Sequence, residues 1–485
     1  MPNLPKTISR LDPANAVLIG EHWTGGELGT FDVEDPATCE VLAKVADAGP
    51  AAATRAVDSA AATFPTWRQT PPRERAELLR RVYELMIRDT EALAALISAE
   101  NGKSVADARA EVAYAAEFFR WFGEEAVRIP GSYTEAPAGG ARNLVSRRPI
   151  GVCALVTPWN FPAAMATRKI APALAAGCTV VLRPASATPL TAFAIGRLLQ
   201  EAGVPAGVIN IVPSSSAGVI VGSWLTDPRV RMLSFTGSTP IGRSLLRQAA
   251  DRILVTSMEL GGNAPFIVLP DADLDAATAG AMIAKLRNGG QACTAANRFY
   301  VHASVADEFC ARFGAQVEQL TVGPAATGAN IGPLISARAV IEIKAKLDEA
   351  IAAGARIAHQ AGLPAGLRGH FLAPCVVTDV PANARLVTEE TFGPVAPIVA
   401  WDTEERLLEL VNDCEYGLAS YIYGSDTEHA MRIGEQIEAG MVGVNRGIVS
   451  DPSAPFGGMK QSGIGREGGH FGIDEFTEVQ YLSIA

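Results

Sequence analysis

Between Ala51 and about Ile129 the apolar residues fall at helical spacing, for example Leu78, Leu79, Val82, Leu85 and Met86, in a background rich in Ala, Leu, Glu and Arg. This pattern predicts a helical layer. A Gly-, Pro- and Ser-rich stretch at 130–140 breaks it, and residues 143–150 are predicted to run extended, as an arm that contacts another subunit. Beyond Pro149 short apolar runs alternate with amphipathic ones. Strands are predicted at 151–156, 178–182, 208–212, 231–235 and 253–258, with helices at 163–176, 189–202 and 239–249. Such alternation argues for βαβ units, an α/β class chain and a doubly wound, Rossmann-type nucleotide-binding sheet. A second α/β cycle starts at 264–270, where Asp271 or Asp273 is placed to cap a helix reaching Arg287. Gly- and Pro-rich loops at 455–463 and 465–469 precede a short apolar tail.

With 485 residues, 48% hydrophobic and 19% charged, and a mean hydropathy of +0.17, the chain can bury a large core and divide into more than one domain. Lys and Arg total 41 against 52 Asp and Glu, a net charge of -11. That balance, without any block of like charges, opposes a nucleic-acid partner. The opening Met-Pro-Asn-Leu-Pro-Lys has no continuous apolar run, and the longest apolar stretch, around 170–182, is too short to span a bilayer. A cytoplasmic chain with no membrane partner is expected. Seven cysteines without a C-x-x-C pair fit free thiols in a reducing compartment. The six histidines show neither H-E-x-x-H nor Cys/His ligand spacing, so no metal centre is expected.

Chemistry is concentrated in four short segments. Residues 288–298 place Cys293 after a glycine-rich turn, where backbone approaches a ligand closely. A free cysteine is usually a small buried hydrophobe, and the other six keep that reading. Glu259, at a predicted strand end before two glycines, is of the type that takes a thiol's proton or activates a water. Isolated, it would be a solvated charge. Thr157, Pro158, Trp159 and Asn160 follow the first sheet strand at the usual ligand edge of such sheets. The Asn160 amide suits an oxyanion, although turn formation beside proline also explains it. Gly237, Ser238 and Gly242 join strand to helix and suit a pyrophosphate at a helix N-terminus, without forming a G-x-G-x-x-G fingerprint.

In this order, Thr157-Pro-Trp-Asn-Phe-Pro162, Phe235-Thr-Gly-Ser238, Glu259-Leu-Gly-Gly262, Gly290-Gln-Ala-Cys293, Glu390-Thr-Phe-Gly-Pro394 and Pro455-Phe-Gly-Gly458 resemble the aldehyde dehydrogenase superfamily over nearly the whole chain. The resemblance implies an NAD(P)-binding domain at 1–129 and 148–257, a catalytic domain at 258–446, and oligomerisation segments at 130–147 and 470–485. It implies that Cys293 attacks an aldehyde carbonyl, that Asn160 and the Cys293 N–H hold the oxyanion, and that water activated by Glu259 hydrolyses the thioester. One oxyanion donor is worth about 2.7–4 kcal/mol. Glu390 and Phe392 match positions that hold the nicotinamide ribose and ring. Ser238 matches a pyrophosphate contact, while Trp159 and Leu260 are expected in the cofactor pocket wall, although ordinary core packing also explains Trp159.

Arg183 stands where the family usually has Lys, and Ser186 where NAD-preferring members often carry Glu. A guanidinium fork suits a phosphate, and a missing carboxylate removes repulsion of one, so NADP is expected to bind as well as NAD. Within the superfamily the chain is most similar to succinate-semialdehyde dehydrogenases, through residues 161–169, 286–288 and 465–468 with Tyr481. Arg168 and Arg287 match positions that grip a distal carboxylate, assisted by Ser450, although a helix-surface ion pair would also explain either arginine. The expected substrate is an acid semialdehyde, first succinate semialdehyde. Glutarate semialdehyde, 2-oxoglutarate semialdehyde and a broad aliphatic range are alternatives, with Arg446 beside the substrate loop. Glu259 argues against thioester release to CoA, and the presence of Cys293, Asn160 and Glu259 against a silent binding protein. Ala295 stands where some relatives carry a second cysteine, so a disulfide switch is not expected. The apolar strand at 479–484 needs covering, and a homodimer or homotetramer is expected.

Overall fold

A computed structural model of the chain describes residues 11–485, so the opening Met1–Lys6 reading lies outside the described residues. Strands β1 (Val17–Ile19) and β2 (His22–Thr24) and the hairpin β3 (Thr30–Asp35) and β4 (Glu40–Ala46) come first. Periodicity does not announce β1 and β2, because three positions cannot show a period of two. The expected helical layer follows as four helices, Pro50–Trp67, Pro72–Arg88, Thr90–Asn101 and Val105–Glu125. In the second of these Leu79, Val82 and Met86 form the buried stripe and Leu85 lies at its margin. The extended excursion is β5 (Ser132–Glu135) and β6 (Arg142–Pro149).

The alternating pattern beyond Pro149 becomes β7 (Val152–Val156), β8 (Thr179–Arg183), β9 (Ile209–Ile211), β10 (Val230–Thr236) and β11 (Val255–Glu259). These pair in parallel in the order β9-β8-β7-β10-β11, with β1 and β2 antiparallel beyond β9. One helix, Ala217–Thr226, was not expected; it opens from Ser214-Ser-Ser-Ala-Gly218, a composition that reads as loop. From β7 the chain builds outward through β8 to β9, and from β10 it builds the other way to β11. The crevice outside the C-terminal ends of β7 and β10 is therefore the topological switch point, where open α/β sheets bind ligands.

The second cycle supplies β12 (Ala264–Val268), β13 (Ala296–His302), β14 (Arg356–Gln360), β15 (Cys375–Thr378), β16 (Val395–Trp401), β17 (Tyr416–Gly417), β18 (Ala419–Tyr423) and β19 (Met441–Val444). Apart from β17 they form one sheet, β14-β15-β16-β13-β12-β18-β19, parallel except for β14. Phe266, Phe299, Phe309 and Phe313 fill its core, the Phe266 and Phe299 centroids lying 5.1 Å apart. Asp273, not Asp271, caps helix Leu274–Leu286, accepting from the amides of Asp275 and Ala276. Asp271 instead accepts from the Asp426 amide at 2.7 Å.

After β20 (Met459–Lys460), which pairs with β17, the chain returns to the first sheet. There β21 (Gly463–Ile464) runs antiparallel to β11, and β22 (Thr477–Ile484) lies along the whole of β6. The order β22-β6-β5 makes β22 an edge strand. Among the described residues no helix is long and apolar enough to cross a membrane.

Candidate active site

The C-terminal end of the first sheet faces the N-terminal end of the second across a cavity of about 230 Å³. β7 delivers Pro158, Trp159 and Asn160 to its wall, β10 delivers Gly237 and Ser238, and the segment leaving β11 delivers Leu260. From the other side, Cys293 stands before β13, Glu390 and Phe392 before β16, and Ser450 after β19. Arg168 and Arg287 complete the group. Residues from six separate segments thus converge on one space.

Cys293 sits at the end of a sharp turn in which Asn288, Gly289 and Gly290 all have left-handed φ, at 53°, 61° and 80°. Its N–H makes no backbone hydrogen bond among the described residues. Burial pushes the Cys293 thiol up to about 12, with Arg168 and Arg287 opposing the rise and Glu259 and Glu390 adding to it. The Cys293 thiol therefore stays protonated at neutral pH unless a base removes its proton.

Glu259 is buried just behind the wall rather than on it. Neither carboxyl oxygen has a hydrogen-bond partner among the described residues. Burial first, and then the nearby Glu467, hold this carboxyl well above its ordinary range, against the pull of Lys169, Arg168 and Arg466. A carboxyl without fixed partners whose pKa is raised by burial is a stronger base once ionised. Asn160 is buried and gives one amide proton to the Gln291 carbonyl at 3.1 Å, leaving the second.

The chain matches the family model described as Aldehyde dehydrogenase family over residues 23–482. The chain belongs to the aldehyde dehydrogenase family. A succinate-semialdehyde dehydrogenase of Paenarthrobacter nicotinovorans is 52% identical over 446 residues, covering 92% of this chain and 99% of that protein. A glutarate-semialdehyde dehydrogenase of Pseudomonas aeruginosa is 47% identical, covering 95% of this chain and 96% of that one. The crystal structure of an E. coli NADP-dependent enzyme aligns with a TM-score of 0.95 at 45% identity, covering 97% of this chain and 98% of that chain. The aldehyde dehydrogenase fold expected from the motifs is the fold observed.

Nicotinamide cofactor chemistry belongs to the family, and this chain's residues fit such a group. Ser238 is the N-cap residue of helix Thr239–Ala250 yet its hydroxyl makes no capping bond, leaving it free at the cavity. Glu390 accepts from the Gly262 amide at 3.1 Å, and burial pushes its carboxyl up to about 7. Trp159 and Phe392 meet edge to face at 5.6 Å. Arg183 lies off the cavity, donating to the Ser214 carbonyl at 2.9 Å, but its buried Nε has no partner. Burial lowers the Arg183 guanidinium to about 10. Ser186 is half-buried in the turn after β8, also off the cavity.

Thr157 and Gly242, like Arg183, Ser186 and Glu259, do not line the cavity. Thr157 is buried behind the wall, its amide bonded to the Arg183 carbonyl at 3.2 Å. At Gly242 a Cβ would stand 2.4 Å from Leu260 Cδ2, so the glycine lets Leu260 pack against the helix start. Arg446 is exposed and does not line the cavity.

The two arginines are not equivalent. Arg168 is buried, bonded to the Tyr114 hydroxyl, 3.5 Å from Glu467 and 3.9 Å above the Phe456 ring. Arg287 lies over Phe161 at 5.1 Å and makes no salt bridge among the described residues. Arg287 is thus the freer cation for an incoming carboxylate.

Several supporting residues escape a reading of motifs. Lys169 donates to Glu467 at 2.6 Å and to the Ser234 hydroxyl at 2.8 Å behind Glu259. Lys103 donates to Glu111 at 2.5 Å and to the Asn160 carbonyl at 2.7 Å. The other Glu111 oxygen accepts from the Ala163 and Ala164 amides at the start of helix Pro162–Ala176. The available signal was a charged residue set among alanines and branched apolar residues, since a buried charge requires a partner.

Proposed function

We propose that this aldehyde dehydrogenase oxidises an acid semialdehyde, with succinate semialdehyde as the first candidate, using NADP or NAD. The observation that carries the substrate class is the presence of Arg287 and Arg168 in the cavity that holds Cys293. A guanidinium pairs with a distal carboxylate, and a neutral aldehyde would leave that cation unpaired. The relatives named for succinate and glutarate semialdehyde support the same class. Glutarate semialdehyde is accordingly the second reading.

In this reading the Cys293 sulfur attacks the aldehyde carbon as its proton passes to Glu259. The free Asn160 amide proton and the Cys293 N–H receive the oxyanion. A bound nicotinamide supplies the hydride acceptor, held by Ser238, Glu390, Phe392, Trp159 and Leu260, with Arg183 and Ser186 toward the adenosine end. Glu259 passes that proton to solvent, then takes one from the water that cleaves the thioester and returns it to the departing Cys293 thiolate as the acid is released. Ser450 assists Arg168 and Arg287 at the distal carboxylate.

We assign 1–129 and 148–257 to cofactor binding, 258–446 to catalysis, and 130–147 with 470–485 to a homodimer or homotetramer contact in a cytoplasmic enzyme. Steady-state NADH and NADPH formation with succinate, glutarate and 2-oxoglutarate semialdehydes and with butanal tests the substrate class. Wild type should prefer an acid semialdehyde, and Arg287→Ala should lose that preference through a raised KM. Equal turnover of butanal by wild type would refute it.

A further inference from the structure

Off the cavity wall, three ligand-type side chains meet beside the hairpin of β3 and β4. Glu34 lies on β3, Cys39 in the turn to β4, and His370 in the loop before β15. His370 Nε2 is 2.9 Å from Glu34 Oε1, and Cys39 Sγ is 3.8 Å from His370 Nε2 and 3.9 Å from Nδ1. The three ligand atoms all lie within 4.8 Å of one another, the one such trio among the described residues.

Zinc bond lengths of about 2.3 Å to sulfur and about 2.0–2.1 Å to nitrogen place neighbouring S and N ligands about 3.6 Å apart, close to the observed 3.8 Å. The 2.9 Å His370–Glu34 contact is a hydrogen bond, which an ion between Nε2 and Oε1 would replace, opening the pair by a few tenths of an ångström. The Arg368 carbonyl, 3.5 Å from Cys39 Sγ, or a water can complete the set.

The backbone holds the trio together without help from a ligand. The His370 amide donates to the Pro36 carbonyl at 3.0 Å. Its neighbour Gly369 is pressed so tightly on the hairpin that a Cβ would stand 2.4 Å from the carbonyl oxygens of Pro36 and Ala37. Cys39 itself holds a left-handed φ of 61°, uncommon for a residue with a Cβ, and its amide bonds to the Asp35 carbonyl at 2.8 Å. Among the described residues neither Glu34 nor Asp35 forms an ion pair with Lys or Arg. The neighbourhood is negative and its donor set is mixed sulfur, nitrogen and oxygen.

We propose that Glu34, Cys39 and His370 bind one zinc-class divalent cation that clamps the β3–β4 hairpin to the loop preceding β15. On binding, the Cys39 thiol releases its proton to solvent, and the imidazole keeps one proton on Nδ1 so that Nε2 is free to ligate. Thiolate and carboxylate then balance the dication. The ligands are up to 336 positions apart, which is why local Cys/His spacing gives no sign of them.

Cobalt(II) titration of the full chain tests the proposal, in a Cys293→Ser background so that the cavity thiol does not compete. One cobalt per chain should bind with a thiolate-to-metal charge-transfer band and the visible bands of a four-coordinate ion, and zinc should displace it. Cys39→Ser should abolish the charge-transfer band, and both it and His370→Gln should weaken binding more than about tenfold. Metal should raise the thermal midpoint of the parent and not of these variants, whose metal-free midpoints should match the parent's. Absence of the band in the parent, or its survival in Cys39→Ser, overturns the proposal.

Discussion

Asn160 has two amide protons, and the Gln291 carbonyl takes one at 3.1 Å, so the side chain is oriented before any substrate arrives. That preorganisation predicts that Asn160→Ala lowers kcat by about 10²–10³-fold with a smaller change in KM, measured by steady-state cofactor reduction. In the proposed mechanism Glu259 carries the pH dependence. Its carboxyl lies above the ordinary range, so the ionised fraction grows as pH rises through the elevated value, and thioester hydrolysis should rise with it. Glu259→Gln should remove this rising limb and slow thioester formation as well as hydrolysis, seen as a lost burst of cofactor reduction in stopped-flow mixing. A retained limb in the variant would assign the base elsewhere.

At the scale of elements, one buried ion pair connects a helix start to the catalytic loop. Glu111 receives two amides of helix Pro162–Ala176 on one oxygen and Lys103 on the other, and Lys103 in turn holds the Asn160 carbonyl. Glu111→Gln keeps an oxygen for the amides but removes the charge facing Lys103, leaving that ammonium buried without its counter-ion. It should cost roughly 3–5 kcal/mol of stability by urea unfolding and lower kcat more than KM. Elements of this kind mark the limit of legibility. Cys293, Asn160 and the parallel strands show in the sequence because a short motif or a run of apolar residues carries each. Lys169 and Glu467 do not, being 298 positions apart and joined only by the fold. Gly242 shows the same limit, since the Leu260 side chain packed against it is a neighbour that only tertiary structure supplies.

Over the whole molecule, the arm presents Val479, Tyr481, Leu482 and Ile484 to solvent on edge strand β22, with exposures from 41% to 62%. An open apolar edge of eight residues invites pairing with another chain. If the proposed oligomer forms through this edge, the paired substitution Val479→Lys with Tyr481→Glu should lower the mass seen by light scattering to that of one chain, while cofactor binding by each chain persists. The same C-terminal region also returns to the first sheet, where β21 covers the free side of β11 and the Phe476 carbonyl accepts from the Ile150 amide. During synthesis β11 is complete at Glu259, yet its partner at Gly463 is made about 200 residues later, a wait of roughly 10–40 s at ribosomal speed. Throughout that interval the nascent chain carries a bare strand edge beside its nucleotide crevice, which makes the emerging N-terminal half a client for chaperones until its last segment leaves the ribosome.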